Sequence, residues 1–404
     1  MLNFHEKMKR LLKVDPLIMG LYVLLSVFGL VMVYSASSYY ALVNQGNSEA
    51  FMVKQLLYIV LGVLLALGIS ILPEKWMKSE KVMGATFGVI FILLVVVLFT
   101  KGINGAKSWI NLKVFNLQPS ELVKLFVIWI SAYLYSKNER SKRDWRFYLV
   151  PAGVTIFLFG MIMLQPDLGT GIIVVAVALL LGLMTGVSNR ALASWGAVFA
   201  LLYGITYLDS SVFEKIGLKA YQVSRFTSFH NPWSDATGSG YQSIQGFLGL
   251  SRGNWFGTGL SNSVQKTGFL PEAHTDFILA IVGEELGFVV IFVLMLAIVG
   301  FIIAMIYKGN KCRSLFAKYL CYGVAILFLI QSGINIGALV GFAPLTGVPL
   351  PLISYGGSSF LASSVGVGFV LWAIRNDQKQ KEPTPPKEEA TLEEEQQPIV
   401  LKAM

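Results

Sequence analysis

Asp276 is the residue from which the chemistry of this chain can be built. It closes a polar cluster, Glu272-Ala273-His274-Thr275-Asp276, just where a long apolar run begins. Its carboxylate therefore stands between water and a low-dielectric interior. Burial at such a boundary raises a carboxyl pKa, which suits a general base that takes a proton from a hydroxyl. A helix cap is the plainer alternative: Thr275 or Asp276 would precede the helix, where capping and the macrodipole both favour Asp. The two roles are compatible.

Four further groups of charges need explaining, because ionisable side chains at membrane depth are costly and default to functional candidates. Glu284 and Glu285 fall about two turns after Asp276, ~12 Å along a continuous helix, and need partners, for which a Lys from another span is the natural expectation. Glu121 and Lys124 are three apart on one helix face and can pair, with Lys124 also able to point into a polar cavity. Lys101, Lys107 and Lys113 lie in one loop around Trp109, and an anionic ligand such as a lipid pyrophosphate would account for them, with Trp109 stacking on a sugar or seated at the interface. Arg225, Arg252 and Lys266 sit in a long Gly- and aromatic-rich segment; Arg suits a pyrophosphate through paired hydrogen bonds, whereas a solvated loop needs no ligand.

The elements that position these groups follow from composition. The 404 residues are 55% hydrophobic and 14% charged, with mean hydropathy +0.64, far from a soluble composition. The chain reads as an all-α polytopic membrane protein. Counted against the roughly 20 apolar residues a spanning helix needs, the apolar runs make about ten transmembrane helices, over residues 16–38, 51–72, 83–100, 121–135, 147–164, 171–186, 191–208, 277–307, 319–340 and 358–374. The first follows a basic start and is longer than a signal-peptide core, so it is expected to be retained. Span eight is long enough to tilt or protrude.

Short loops rich in Lys and Arg, above all 137–143, place one side of the membrane as cytoplasmic. Both termini then lie inside, and a large outer loop, 208–276, joins spans seven and eight. The net charge of +9 is thus topological rather than a footprint for nucleic acid. The expected organisation is a cytoplasmic N-terminus (1–15), a membrane domain (16–375) and a Pro- and Glu-rich tail (376–404) with the composition of disordered chain. Cys312 and Cys321 fall by an inner loop, where a disulfide is not expected. Three histidines and no cysteine cluster give no zinc site of normal spacing, and no Gly-rich nucleotide loop is present. A zinc centre and an ATP-driven pump are therefore not expected.

Several passages resemble the SEDS family (shape, elongation, division and sporulation) of multi-span proteins: 118–124 (QPSELVK), 165–170 (QPDLGT), the whole of 221–287, 344–351 (PLTGVPLP) and 354–358 (SYGGS). Residues 262–266 (NSVQK) and 271–277 (PEAHTDF) are similar to its division branch, whereas elongation-type members usually have Gln where this chain has Ala273. The resemblance implies a peptidoglycan glycosyltransferase of the division septum that polymerises lipid II on the outer face of the bacterial plasma membrane. Asp276 matches the family's essential outer aspartate. Trp109, Glu121, Lys124, Asp167 and Arg225 match motif positions of its polar cavity, and Lys107, Lys113, Lys266 and His274 are added here as substrate-binding candidates. Basic residues, with or without a divalent cation (magnesium or manganese), would offset charge on the leaving pyrophosphate. The implied partners are lipid II and the growing glycan strand, a single-span class B penicillin-binding transpeptidase, other division proteins and membrane lipids. A lipid II flippase, an elongation-type polymerase and a scaffold that only recruits division proteins are the competing readings.

Overall fold

The computed structural model describes residues 14–100, 107–112, 116–138, 146–186, 223, 225 and 228–381. Ten α-helices carry the argument: α1 (Pro16–Gln45), α2 (Ala50–Ser70), α3 (Glu80–Leu98), α4 (Pro119–Lys137), α5 (Arg146–Met163), α6 (Leu168–Leu183), α7 (Tyr241–Gly253), α8 (Ile278–Asn310), α9 (Leu315–Leu339) and α10 (Gly357–Lys381). A two-residue pair of antiparallel strands, β1 (Ile110–Asn111) and β2 (Asn116–Leu117), precedes α4. Nine of the expected spans are thus helices. The expected seventh, 191–208, lies outside the described residues, as do the N-terminal 1–13 and the tail beyond 381. The last helix runs to Lys381, past Ile374 where the apolar run ends.

Local chemistry sets the helix ends. Asp15 caps α1 by accepting from Leu17 and Ile18 N–H at 3.2 and 3.1 Å, with Pro16 at the first helical position, and Gly46 closes the helix in the left-handed conformation. The same Asp15 carboxylate takes Lys308 from the far end of α8. One end of the bundle thereby gathers the start of α1 and the end of α8. The opposite end gathers the end of α1, the starts of α2, α4, α6, α8 and α10, and the loop after α9.

Six helices, α1, α2, α3, α8, α9 and α10, are long and apolar enough to cross a membrane, and α5 and α6 are shorter apolar helices. The helix α4 is different. Its side chains are buried from Pro119 to Tyr135 on most sides, so it is surrounded by protein and can hold charges that lipid would reject. Around it pack α3, α5, α6, α9 and α10.

The long eighth span is not one rod. Its backbone leaves helical geometry at Gly287 (φ 80°, ψ 176°), a region open essentially only to glycine. A short helix, 278–286, is thereby separated from a longer stem, 288–310. The loop after α7 fills the gap: Thr258 and Gly259 N–H donate to the carbonyls of Glu284 and Glu285, both at 2.9 Å, while Phe288 and Val289 N–H donate to Asn254 and Trp255 at 2.9 and 3.2 Å. A β-carbon at Gly287 would stand 2.4 Å from the Trp255 carbonyl oxygen. Continuous helix was expected through this position; instead the chain breaks, and the loop takes two carbonyls on one side of the break and two N–H groups on the other.

Candidate functional site

Residues 271–277 form an irregular turn that hands Asp276 to the short helix of α8. Neither Thr275 nor Asp276 caps that helix: Phe277 is the capping position and accepts no side-chain bond. The Thr275 hydroxyl turns back to the Glu272 carbonyl at 3.0 Å and to its carboxylate at 3.1 Å, and Glu272 itself sits at φ +54°. From α9, Asn335 donates both amide hydrogens, to the Asp276 carbonyl at 2.9 Å and the Val348 carbonyl at 2.8 Å. One side chain thus ties the Asp276 turn to the loop that follows α9.

That loop brings Gly347 under the Asp276 carboxylate. A β-carbon there would lie 3.4 Å from Asp276 Oδ2 and 3.6 Å from the Arg225 guanidinium, so carboxylate and guanidinium meet over a bare backbone, with glycine also required by φ +72°. Asp276 is half-buried. Burial first, and the neighbouring Glu272 charge second, push its pKa from 3.8 up to about 6, against the opposing pull of Arg225 and the Thr275 hydroxyl. A carboxylate so placed is ionised at neutral pH yet basic enough to take a proton, with a cation beside it for an anionic group.

Asp167 joins the start of α6 to the start of α4. It caps α6 by accepting from Thr170 N–H at 3.1 Å, and it accepts from Gln118 Nε2 at 3.0 Å and Ser120 Oγ at 3.3 Å at the start of α4. Two residues on, Gly169 abuts the Thr346 carbonyl, one residue from Gly347. Glu121 and Lys124 pair at 2.7 Å with side chains only 5% and 2% exposed, one turn further along α4.

The remaining candidates are placed elsewhere. Lys266 is buried against Glu285 at 2.7 Å, not beside Arg225, and this is also where the carboxylates of Glu284 and Glu285 find partners: the expectation of a lysine from another span gives way to Lys266 and Arg252 of the loop. His274 has its ring among Tyr40, Phe51 and Tyr355, with centroids 5.5, 4.8 and 5.6 Å away. Burial holds its pKa below the usual value, with Glu272 opposing, so it packs as a neutral aromatic. Lys107 is exposed and donates to the Leu98 carbonyl at the end of α3. Trp109 is half-buried beside β1, and Lys113 lies outside the described residues. Asn335 and Gly347 were missed as site residues; an amide in an apolar helix, one turn after Gln331, and a glycine in the PLTGVPLP passage were the available signals.

Among the described residues no three His, Cys, Asp or Glu side chains gather to hold a metal ion. No catalytic step is assigned to a magnesium or manganese ion.

These features define a multi-span helical membrane protein that offers a half-buried carboxylate and a guanidinium to a ligand over a glycine-containing loop. The chain belongs to the FtsW/RodA/SpoVE family: a family model described as a cell cycle protein matches residues 15–379. It is 37% identical over 386 residues to a probable peptidoglycan glycosyltransferase FtsW of Bacillus subtilis, covering 90% of this chain and 93% of that one. It is 35% identical over 348 residues to one of the same name from Aliivibrio salmonicida, covering 85% and 84%. Among solved structures it is similar to a chain of a peptidoglycan synthase complex that coordinates polymerization and crosslinking (TM-score 0.72, 27% identity, 91% of this chain and 99% of that one). The rod shape determining protein RodA of Thermus thermophilus shares the fold (TM-score 0.64, 24% identity, 91% and 98%).

Proposed function

We propose that this chain is a peptidoglycan glycosyltransferase of cell division, which joins lipid II disaccharides into glycan strands on the outer face of the cytoplasmic membrane. The observation that carries the reading is the meeting of Asp276 and Arg225 over Gly347. The names of its FtsW relatives point the same way.

In this reaction a hydroxyl oxygen of the acceptor sugar bonds to the anomeric carbon of the donor while the bond from that carbon to the lipid pyrophosphate breaks. The hydroxyl proton passes to the Asp276 carboxylate, and the bonding pair leaves on the pyrophosphate. Arg225 offsets the charge that grows there. A single direct displacement inverts the anomeric centre. Asn335 keeps Asp276 and the Gly347 loop in register, so the base and the cation are positioned before the substrate arrives.

The likeness to a synthase complex that couples polymerization to crosslinking supports a crosslinking partner, here a single-span class B penicillin-binding transpeptidase. The names of the FtsW relatives support placement at the septum, and the basic short loops support cytoplasmic termini. The test is polymer formation by the purified chain in vesicles given lipid II on the outer side alone. The parent is expected to make glycan strands and Asp276→Asn none, with insertion intact. Full activity of Asp276→Asn removes the catalytic role, and transbilayer movement without polymer favours the flippase.

A further inference from the structure

The outer loop is fastened to the short helix of α8 by two buried carboxylates. Glu285 is fully buried and takes Lys266 Nζ at 2.7 Å. Ser35 of α1 has its hydroxyl 2.8 and 2.6 Å from the two Glu285 oxygens and accepts from the same Lys266 at 3.1 Å. Glu284, equally buried, accepts from Val264 and Gln265 N–H at 2.9 and 3.2 Å and from the Ser263 hydroxyl. That hydroxyl in turn accepts the Lys266 N–H at 3.2 Å. Arg252 reaches Glu284 from the end of α7 at 3.3 Å.

The contact between Lys266 and Glu285 closes a ring of chain, and Asp276 lies at its middle, ten residues from one end and nine from the other. The ring leans on α1 at three heights. Ser35 holds its base, Tyr39 approaches Gly268, and Tyr40 faces the ring of His274 near the apex. Replacing a buried ion pair by apolar or neutral groups of equal volume is often neutral for stability, so stability alone does not explain these charges. A fixed geometry does: the ammonium, the carboxylate and the hydroxyl of a third element satisfy one another in only one arrangement.

We propose that Lys266, Glu285 and Ser35 form a clasp that positions Asp276 against Arg225 and Gly347. These are positioning residues, since none touches the reacting atoms. The role of the clasp in turnover rests on the glycosyltransferase reading, whereas its effect on the place of the Asp276 turn does not.

The experiment therefore has two arms, in full-length protein reconstituted in nanodiscs. In the first, nitroxide labels at Gln45→Cys and Glu272→Cys, with Cys312→Ser and Cys321→Ala in the background, report the distance from the end of α1 to the apex of the ring by electron–electron double resonance. The double variant Lys266→Met/Glu285→Gln keeps side-chain volume and leaves no lone buried charge, so it is expected to fold with a melting temperature near the parent's. Its distance distribution is expected to be broad where the parent's is narrow. In the second arm, without labels, kcat on lipid II is expected to fall by between about tenfold and a hundredfold, with KM within about twofold because the substrate-facing groups remain. Ser35→Ala, which alters no residue of the ring, is expected to show the same pattern more weakly. An unchanged distance distribution in the double variant, or a kcat equal to the parent's despite a broadened one, overturns the proposal. A parent that makes no polymer overturns the glycosyltransferase reading instead, and the distance arm still decides the clasp.

Discussion

Replacing Glu272 by glutamine should make the enzyme faster in acid and leave it unchanged at alkaline pH. Asp276 has its pKa raised from 3.8 to about 6, equivalent to ~3 kcal/mol against the charged form. Burial supplies the largest part, and Glu272 the next. Glu272 is exposed, so its repulsion is screened to ~1 kcal/mol at most, somewhat under one pH unit. A base works only when deprotonated, so activity rises with pH through its pKa. At pH 5 about a tenth of Asp276 is ionised in the parent. If the pKa falls by about 0.7 in the variant, about a third is ionised, and kcat/KM at pH 5 rises about threefold. The glutamine oxygen still accepts the bond from Thr275 that the carboxylate accepts now at 3.1 Å, so the turn is preserved. Arg225→Gln should shift the same limb toward higher pH, since Arg225 is an opposing charge, on top of any loss in affinity. The assay is the initial rate of strand formation from lipid II at low substrate, from pH 4.5 to 8. Limbs that stay put, or that move the same way in both variants, would refute the assignment of Asp276 as the titrating base.

Lys124→Met alone should destabilise the protein by roughly 3–5 kcal/mol because it strands Glu121 in the interior. Adding Glu121→Gln should recover most of that loss, and thermal unfolding in detergent of the two single variants and the double separates these outcomes. Gly347→Ala should cost about 1–2 kcal/mol from the left-handed backbone, with ordinary contact rather than overlap at the new methyl group, 3.4 Å from Asp276 Oδ2. Its signature should be weaker turnover with little change in the melting curve, because the strain falls on the loop under the base and not on the helices.

The helices were legible because membrane spans announce themselves as runs of apolar residues, and nine of the ten expected spans fall on helices. Asp276 was legible as a carboxylate at the edge of such a run. Its surroundings were not. Arg225 and Gly347 reach it from distant stretches of chain, and nothing in residue type or spacing encodes that meeting. The break at Gly287 was hidden because the apolar run reads straight through it: hydropathy reports side chains, whereas the interruption is a backbone torsion that only the docking of 254–259 explains. The partner of Lys107 was equally hidden: its position called for an anion, and spacing gave no sign that its ammonium also reaches a carbonyl at the end of α3. Conversely, α4 carries buried charges that a lipid-facing span would not tolerate.

The interruption of α8 also divides its length between two media. A straight rod of 33 residues would extend ~50 Å, far more than the ~30 Å of a bilayer's hydrocarbon. The stem from 288 to 310 is ~34 Å long, close to that thickness. The glycine therefore ends a stem of bilayer length, and the 254–259 loop, bonded on both sides of it, sets the upper helix at a fixed angle to that stem. The anchorage of the stem in the bilayer thereby fixes the height of the base.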